Sequence, residues 1–152
     1  MAVGVYLYFC VRLDNNDGDL IFSVSKDHLI NVWYSHNGER LGTYNGHNGT
    51  AWSVAVDKSS EFLVSGSADN NLKLWSVKTG QCLFSWEFPT AIKRVDWSDD
   101  DRTILAVTEE RMGYKGAIRI FDINRDDPTN RGYFSLSFFF IQLTCAFRKI
   151  SP

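Results

Sequence analysis

A stretch of this chain repeats itself at a fixed step of 42 residues, and that step limits the fold more than any other feature. Ser25-Lys26-Asp27 returns 42 residues later as Ser67-Ala68-Asp69, Val32-Trp33 as Leu74-Trp75, and Asn37-Gly38 as Thr79-Gly80. Such self-similarity means that one supersecondary unit has been copied. Periods of about 40–45 residues with a Trp near the end of a strand are the mark of β-propeller blades.

Each unit reads as four short strands. In the first, Phe9 to Leu13, Leu20 to Ser25, Leu29 to Tyr34 and Arg40 to Tyr44 are the strands, separated by turn clusters such as Asn15-Asn16-Asp17-Gly18. In the second they are Ala51 to Val56, Phe62 to Ser67, Leu72 to Val77 and Cys82 to Phe88. Asp69-Asn70-Asn71 makes a tight turn there, because Asn and Asp tolerate positive φ. The third unit is degraded. Ile92 to Trp97, Thr103 to Thr108 and Ala117 to Ile123 match the first three strands, and no fourth strand is legible beyond Asp127. Phe121 stands where a Trp is expected, 46 residues after Trp75, so four extra residues fall in the loop Arg111-Met112-Gly113-Tyr114. The expectation is an all-β partial propeller of about three four-stranded blades, 5–44, 47–88 and 90–127. A divergent apolar tail follows over 128–152.

Composition excludes several classes. Sixteen basic against 18 acidic residues, with no basic cluster, argue against a nucleic-acid footprint. Cys10, Cys82 and Cys145 are odd in number and far apart, which fits neither a disulfide framework nor a zinc site. The thiols are expected to be buried or inert, in a reducing compartment. Ala2 to Val11 is apolar but has no basic residues before it, unlike a secretory leader. Phe134 to Phe147 is shorter than the roughly 20 residues that a membrane helix needs. His28 and His36 fall at turns and are read as solvated. Asp99-Asp100-Asp101 is read as a charged turn rather than a cation site, and Gly42, Gly46 and Gly49 precede no phosphate-loop Lys.

The second unit carries a polar constellation: His47 after Gly46, Ser65 in the second strand, Asp69 in the turn and Trp75 in the third strand. At these places they resemble a WD-repeat blade. The resemblance implies a buried chain of hydrogen bonds, from indole N–H to hydroxyl to imidazole to carboxylate. A Trp suits it because its ring packs while its N–H reaches a partner. Ser, His and Asp also suggest a hydrolase triad, but Ser65 lies mid-strand without a nucleophile elbow. The first unit has Ser23, Asp27 and Trp33 at matching places, but Gly4-Val5 where Gly46-His47 would repeat. An incomplete network leaves orphaned groups, each costing about 1–3 kcal/mol, so the start of blade one is expected to be loose.

A longer string narrows the resemblance. Asp17-Gly18-Asp19-Leu20 leads into Phe22-Ser23-Val24-Ser25-Lys26-Asp27, then Val32-Trp33-Tyr34-Ser35 and Asn37-Gly38-Glu39-Arg40-Leu41-Gly42-Thr43. Gly66-Ser67-Ala68-Asp69, Lys73-Leu74-Trp75, Gly80-Gln81-Cys82 and Ile92-Lys93-Arg94-Val95 follow. Over about residues 10–127 this closely resembles the i subunit family of eukaryotic translation initiation factor three. The resemblance implies a seven-bladed, non-catalytic and cytoplasmic scaffold without cofactor. Its implied partners are the b and g subunits and, through the complex, the small ribosomal subunit that recruits mRNA and initiator tRNA. Direct nucleic-acid or membrane binding is not implied.

Only about three of seven blades are legible, so the chain reads as truncated. The run Phe138 to Leu143 is β-prone and uncharged, with an aggregation signature. The tail is expected to cover an exposed blade face. The rival readings are a generic WD-repeat interaction module, an enzyme using Ser65, His47 and Asp69, and a non-functional fragment of an incomplete gene model.

Overall fold

A computed structural model describes residues 8–13, for which the backbone alone is considered, and residues 18–123. The start of the first unit and the apolar tail at 128–152 lie outside the described residues. Among the described residues eleven strands form three antiparallel sheets. The first sheet contains β1 (Tyr8–Leu13), β2 (Leu20–Ser25), β3 (Ile30–Tyr34) and β4 (Arg40–Tyr44). The second contains β5 (Ala51–Val56), β6 (Phe62–Ser67), β7 (Asn71–Ser76) and β8 (Cys82–Glu87). The third contains β9 (Ile92–Trp97), β10 (Thr103–Thr108) and β11 (Ile118–Asp122), three strands among the described residues. Each sheet is a meander with strands paired in chain order, the form of a propeller blade.

The repeat is visible in backbone angles as well as in sequence. Gly18, Ser60 and Asp101 all have positive φ (66°, 57° and 57°), as do His28 and Asn70 (72° and 65°) and Gly38 and Gly80 (70° and 71°). Each set marks one hairpin corner copied at a step of 41 or 42 residues. Irregular pairing recurs too. The β3–β4 and β7–β8 ladders both shift register beside the Trp, at Val32/Trp33 and at Leu74/Trp75. A bulge there locally increases the twist that the outer strand needs.

Side chains alternate across a strand, so a blade between two others must be apolar on both faces. Val54, Val56, Leu63 and Trp75 of the second blade pack with Leu20, Phe22, Val24, Ile30, Val32 and Tyr44 of the first. Ala55, Val64, Leu72 and Leu74 point the other way, into a cluster with Ile92, Val95, Ile104, Ala106 and Phe121 of the third. This is why β5 and β6 show no polar alternation. Each fully buried Leu or Val contributes about 1.5–3 kcal/mol. Gly66 faces the second interface, where an added Cβ would come within 2.5 Å of Ile92 Cγ2.

Polar ties cross the same interfaces. The Tyr44 hydroxyl donates to the Val77 carbonyl at 3.1 Å, and the Trp97 indole N–H to the Ala55 carbonyl at 3.2 Å. The Val95 N–H donates to Ser53 Oγ at 3.2 Å. Asp101 is buried rather than displayed in its charged turn, and its carboxylate accepts the Lys58 N–H at 2.8 Å. Of the thiols expected to be buried or inert, Cys82 is exposed on the outer strand β8, and partial burial pushes its pKa up.

Candidate functional site

The polar constellation of the second blade is assembled by two strands and two connections. His47 lies in the link from β4 to β5, Ser65 in β6, and Asp69 in the turn before β7, which carries Trp75. The Trp75 indole N–H donates to Ser65 Oγ at 2.8 Å. Ser65 Oγ lies 2.7 Å from His47 Nε2, and His47 Nδ1 lies 2.9 Å from Asp69 Oδ2. The partners dictate the proton positions. A carboxylate only accepts, so Nδ1 carries the imidazole proton. Nε2 then accepts from the Ser65 hydroxyl, whose oxygen is already taken by the indole.

Two backbone amides complete the site. The Asn48 N–H donates to Asp69 Oδ2 at 2.8 Å and the Asn71 N–H to Asp69 Oδ1 at 2.9 Å. Burial alone would raise the Asp69 pKa. The hydrogen bonds from His47, Asn48 and Asn71 outweigh it and hold the carboxyl well below the usual carboxylate range. Gly49 makes room for the turn, since a Cβ there would approach Asp69 N to 2.8 Å.

The distances among Ser65, His47 and Asp69 are those of a catalytic triad, so geometry by itself does not separate the two readings. Burial does. Ser65 and Trp75 are both 0% exposed. A nucleophile must present its oxygen to substrate, and here that oxygen is enclosed by the indole and the imidazole. Among the described residues no group of three or more His, Cys, Asp or Glu is placed to hold a metal ion.

The first blade holds part of the same arrangement. The Trp33 indole N–H donates to Ser23 Oγ at 2.8 Å. Asp27 accepts the Leu29 N–H at 3.1 Å and the Ser25 hydroxyl. Position 5, where its His would stand, lies outside the described residues.

The third blade replaces three of the four members of the network, which sequence reasoning noticed only at Phe121. Phe88 and Ala106, 41 residues after His47 and Ser65, occupy the equivalent places. Phe88 meets Phe121 edge-on with centroids 5.8 Å apart, as His47 meets Trp75 at 5.9 Å. At these three places the polar groups have become apolar together, so none of them leaves a buried partner orphaned. Applying a 41-residue step to His47 and Ser65, beside the 46-residue step from Trp75 to Phe121, would have revealed it. Asp101 and Ser53 were also missed, because their partners lie in a neighbouring blade.

Repeating four-stranded sheets, stacked face to face and pinned by a Trp–Ser–His–Asp network, define a segment of a WD-repeat β-propeller. The family of the WD domain, G-beta repeat, matches residues 38–76. More particularly, the chain is like subunit I of eukaryotic translation initiation factor 3 over about three quarters of its length. It is 64% identical over 115 residues to that subunit of Mycosarcoma maydis, covering 76% of this chain and 33% of the relative. The Schizosaccharomyces pombe subunit is 62% identical over 109 residues, covering 72% of this chain and 33% of the relative. For Pyricularia oryzae the figures are 58% over 112 residues, 74% and 33%. The chain thus spans about a third of the length of the curated relatives it matches. No helix among the described residues is long and apolar enough to cross a membrane.

Proposed function

We propose that this chain acts in translation initiation as a non-catalytic scaffold within initiation factor three. The observation that carries the reading is the 64% identity to a subunit I over 115 residues, 76% of this chain. In this reading the b and g subunits are its partners, and it reaches the small ribosomal subunit in the cytoplasm through them. It thereby supports recruitment of mRNA and initiator tRNA without contacting nucleic acid itself. His47, Ser65, Asp69 and Trp75 serve as a structural clamp, and Ser23, Asp27 and Trp33 as an incomplete one. Residues 1–127 form the propeller portion and 128–152 a separate tail. The sealed Ser65 oxygen supports the absence of catalysis. A propeller blade presents rigid edges and loops, which suits docking of several partners.

The test is binding of the 152-residue chain to purified b and g subunits, alongside labelling with a serine-directed probe. Binding with an unlabelled Ser65 supports the scaffold. Labelling of Ser65 overturns it in favour of an enzyme. Absence of binding to either subunit returns the chain to a generic WD-repeat module or an inactive fragment.

A further inference from the structure

The connection from β10 to β11 is longer than its counterpart in the second blade by five residues, since Ile104 pairs with Phe121 where Leu63 pairs with Trp75, and it is ordered into a hairpin of its own. Its base is closed by the Thr108 N–H to the Ala117 carbonyl at 2.9 Å and the Ala117 N–H to Thr108 Oγ1 at 3.2 Å. At the tip, Arg111 and Tyr114 exchange both backbone hydrogen bonds, each 3.0 Å long. Between them Met112 and Gly113 have φ of 51° and 86°. A two-residue turn with positive φ at both places favours Asn-Gly, because a bulky side chain meets its own backbone there. The chain has Met instead, and Met112 is 89% exposed. Among the described residues no buried cluster takes it up. Tyr114 is 56% exposed beside it, and among the described residues the remaining exposed large hydrophobic is Leu41.

Charge around the tip is lopsided. The Glu109 carboxylate is held by Lys93 at 2.9 Å and approached by Arg111 at 3.8 Å. Lys93 also lies 3.1 Å from the Trp52 ring centroid. With Lys115 exposed at the other side, cations exceed the carboxylates of Glu109 and Glu110. Met, Tyr and Arg are the residues enriched at protein interfaces, and Met adapts to irregular apolar surfaces.

We infer that the Arg111–Lys115 hairpin is a docking element that enters an apolar pocket with an acidic rim on another protein of the assembly. The inference rests on the scaffold reading above. The turn sets Met112 and Tyr114 in a fixed geometry before binding, which spares the ordering cost of a loose loop. Arg111 and Lys115 complement the rim and speed encounter.

The probe is purified initiation factor three assembled without its I subunit, with the Kd of the full 152-residue chain measured after nuclease treatment. Met112→Asn should weaken binding about tenfold or more while leaving Tm equal or higher, since Asn suits the turn. Tyr114→Ala should weaken it similarly, and the control Leu41→Ala should bind as the parent does. Parent-like binding by both tip variants overturns the inference and leaves the scaffold reading standing. A fall in Tm for Met112→Asn also overturns it, because Met112 would then be serving the fold. A tip-dependent loss seen equally on isolated small-subunit ribosomal RNA overturns it in favour of an RNA contact. If the parent chain itself fails to bind the assembly, the scaffold reading falls and the inference with it.

Discussion

Replacing His47, Ser65 and Trp75 together by the residues of the third blade should cost far less than the three single changes summed. His47→Phe leaves the Ser65 hydroxyl without its acceptor, about 1–3 kcal/mol for a buried group. It also removes one donor from Asp69, which keeps the Asn48 and Asn71 amides at 2.8 and 2.9 Å, so about 1 kcal/mol more is lost. Ser65→Ala orphans both the Trp75 N–H and His47 Nε2, for roughly 2–4 kcal/mol. Trp75→Phe opens a cavity in a 0% exposed site and removes the Ser65 donor, again about 2–3 kcal/mol. The singles thus sum to roughly 6–11 kcal/mol, more than many domains possess. In the triple variant the only network member still missing a partner is Asp69, which keeps the Asn48 and Asn71 amides. Its cost is then mainly repacking around Phe, Ala and Phe, about 2–4 kcal/mol, equivalent to a Tm lower by roughly 4–16 °C. The third blade holds this composition with its rings 5.8 Å apart. The assay is urea unfolding of the 152-residue chain and its variants, followed by far-UV circular dichroism. If the triple variant equals the sum of the singles to within about 0.5 kcal/mol, the four groups act independently and the reasoning is wrong.

Two further expectations concern the interfaces between sheets. Gly66→Ala should drive the second and third blades apart, because its Cβ would meet Ile92 Cγ2 at 2.5 Å and Val95 Cγ1 at 3.1 Å. A loss of about 1–3 kcal/mol is expected, partly restored by adding Ile92→Val; an unchanged Tm would place Gly66 elsewhere. Burial pushes the Tyr44 phenol from 10.0 up to about 12. The unfolded chain therefore ionises first, so stability is intact below pH 10 and falls as pH rises towards 12. Tyr44→Phe should lose roughly 0.5–1.5 kcal/mol at pH 8 with its bond to Val77, yet show a shallower decline between pH 10 and 12 in urea unfolding. An identical alkaline slope in both proteins would refute the assignment.

Much of the framework was legible because it is local. The 42-residue step, the turn residues and the β-prone runs place β2, β4, β5, β6, β9 and β10 at the spans expected of them. Differences are confined to strand ends. The strand expected from Leu29 starts at Ile30, where Asp27 holds the Leu29 N–H within the turn. The one expected from Leu72 starts at Asn71, which pairs with Glu87. His47, Ser65, Asp69 and Trp75 were readable as a group because each has a fixed offset within one unit. The exposure of Cys82 was not legible, because an outer strand is as apolar in sequence as an inner one and exposure depends on what lies beyond it.

The sequence by itself determined the unit: four strands, their corners, and the residue types that pin them. Local sterics and hydrogen-bonding chemistry act over a few residues and leave their mark on the chain. What only the tertiary structure decided is how the units meet. Both faces of β5 and β6 are apolar, so no periodicity says that Val54 faces the first blade and Ala55 the third. Asp101 reads as a surface charge until the fold sets it against the Lys58 amide. Phe88 reads as the end of a strand until it proves to stand where another blade keeps a histidine. Contacts between sheets join residues about 40 positions apart, and packing alone selects which of them touch.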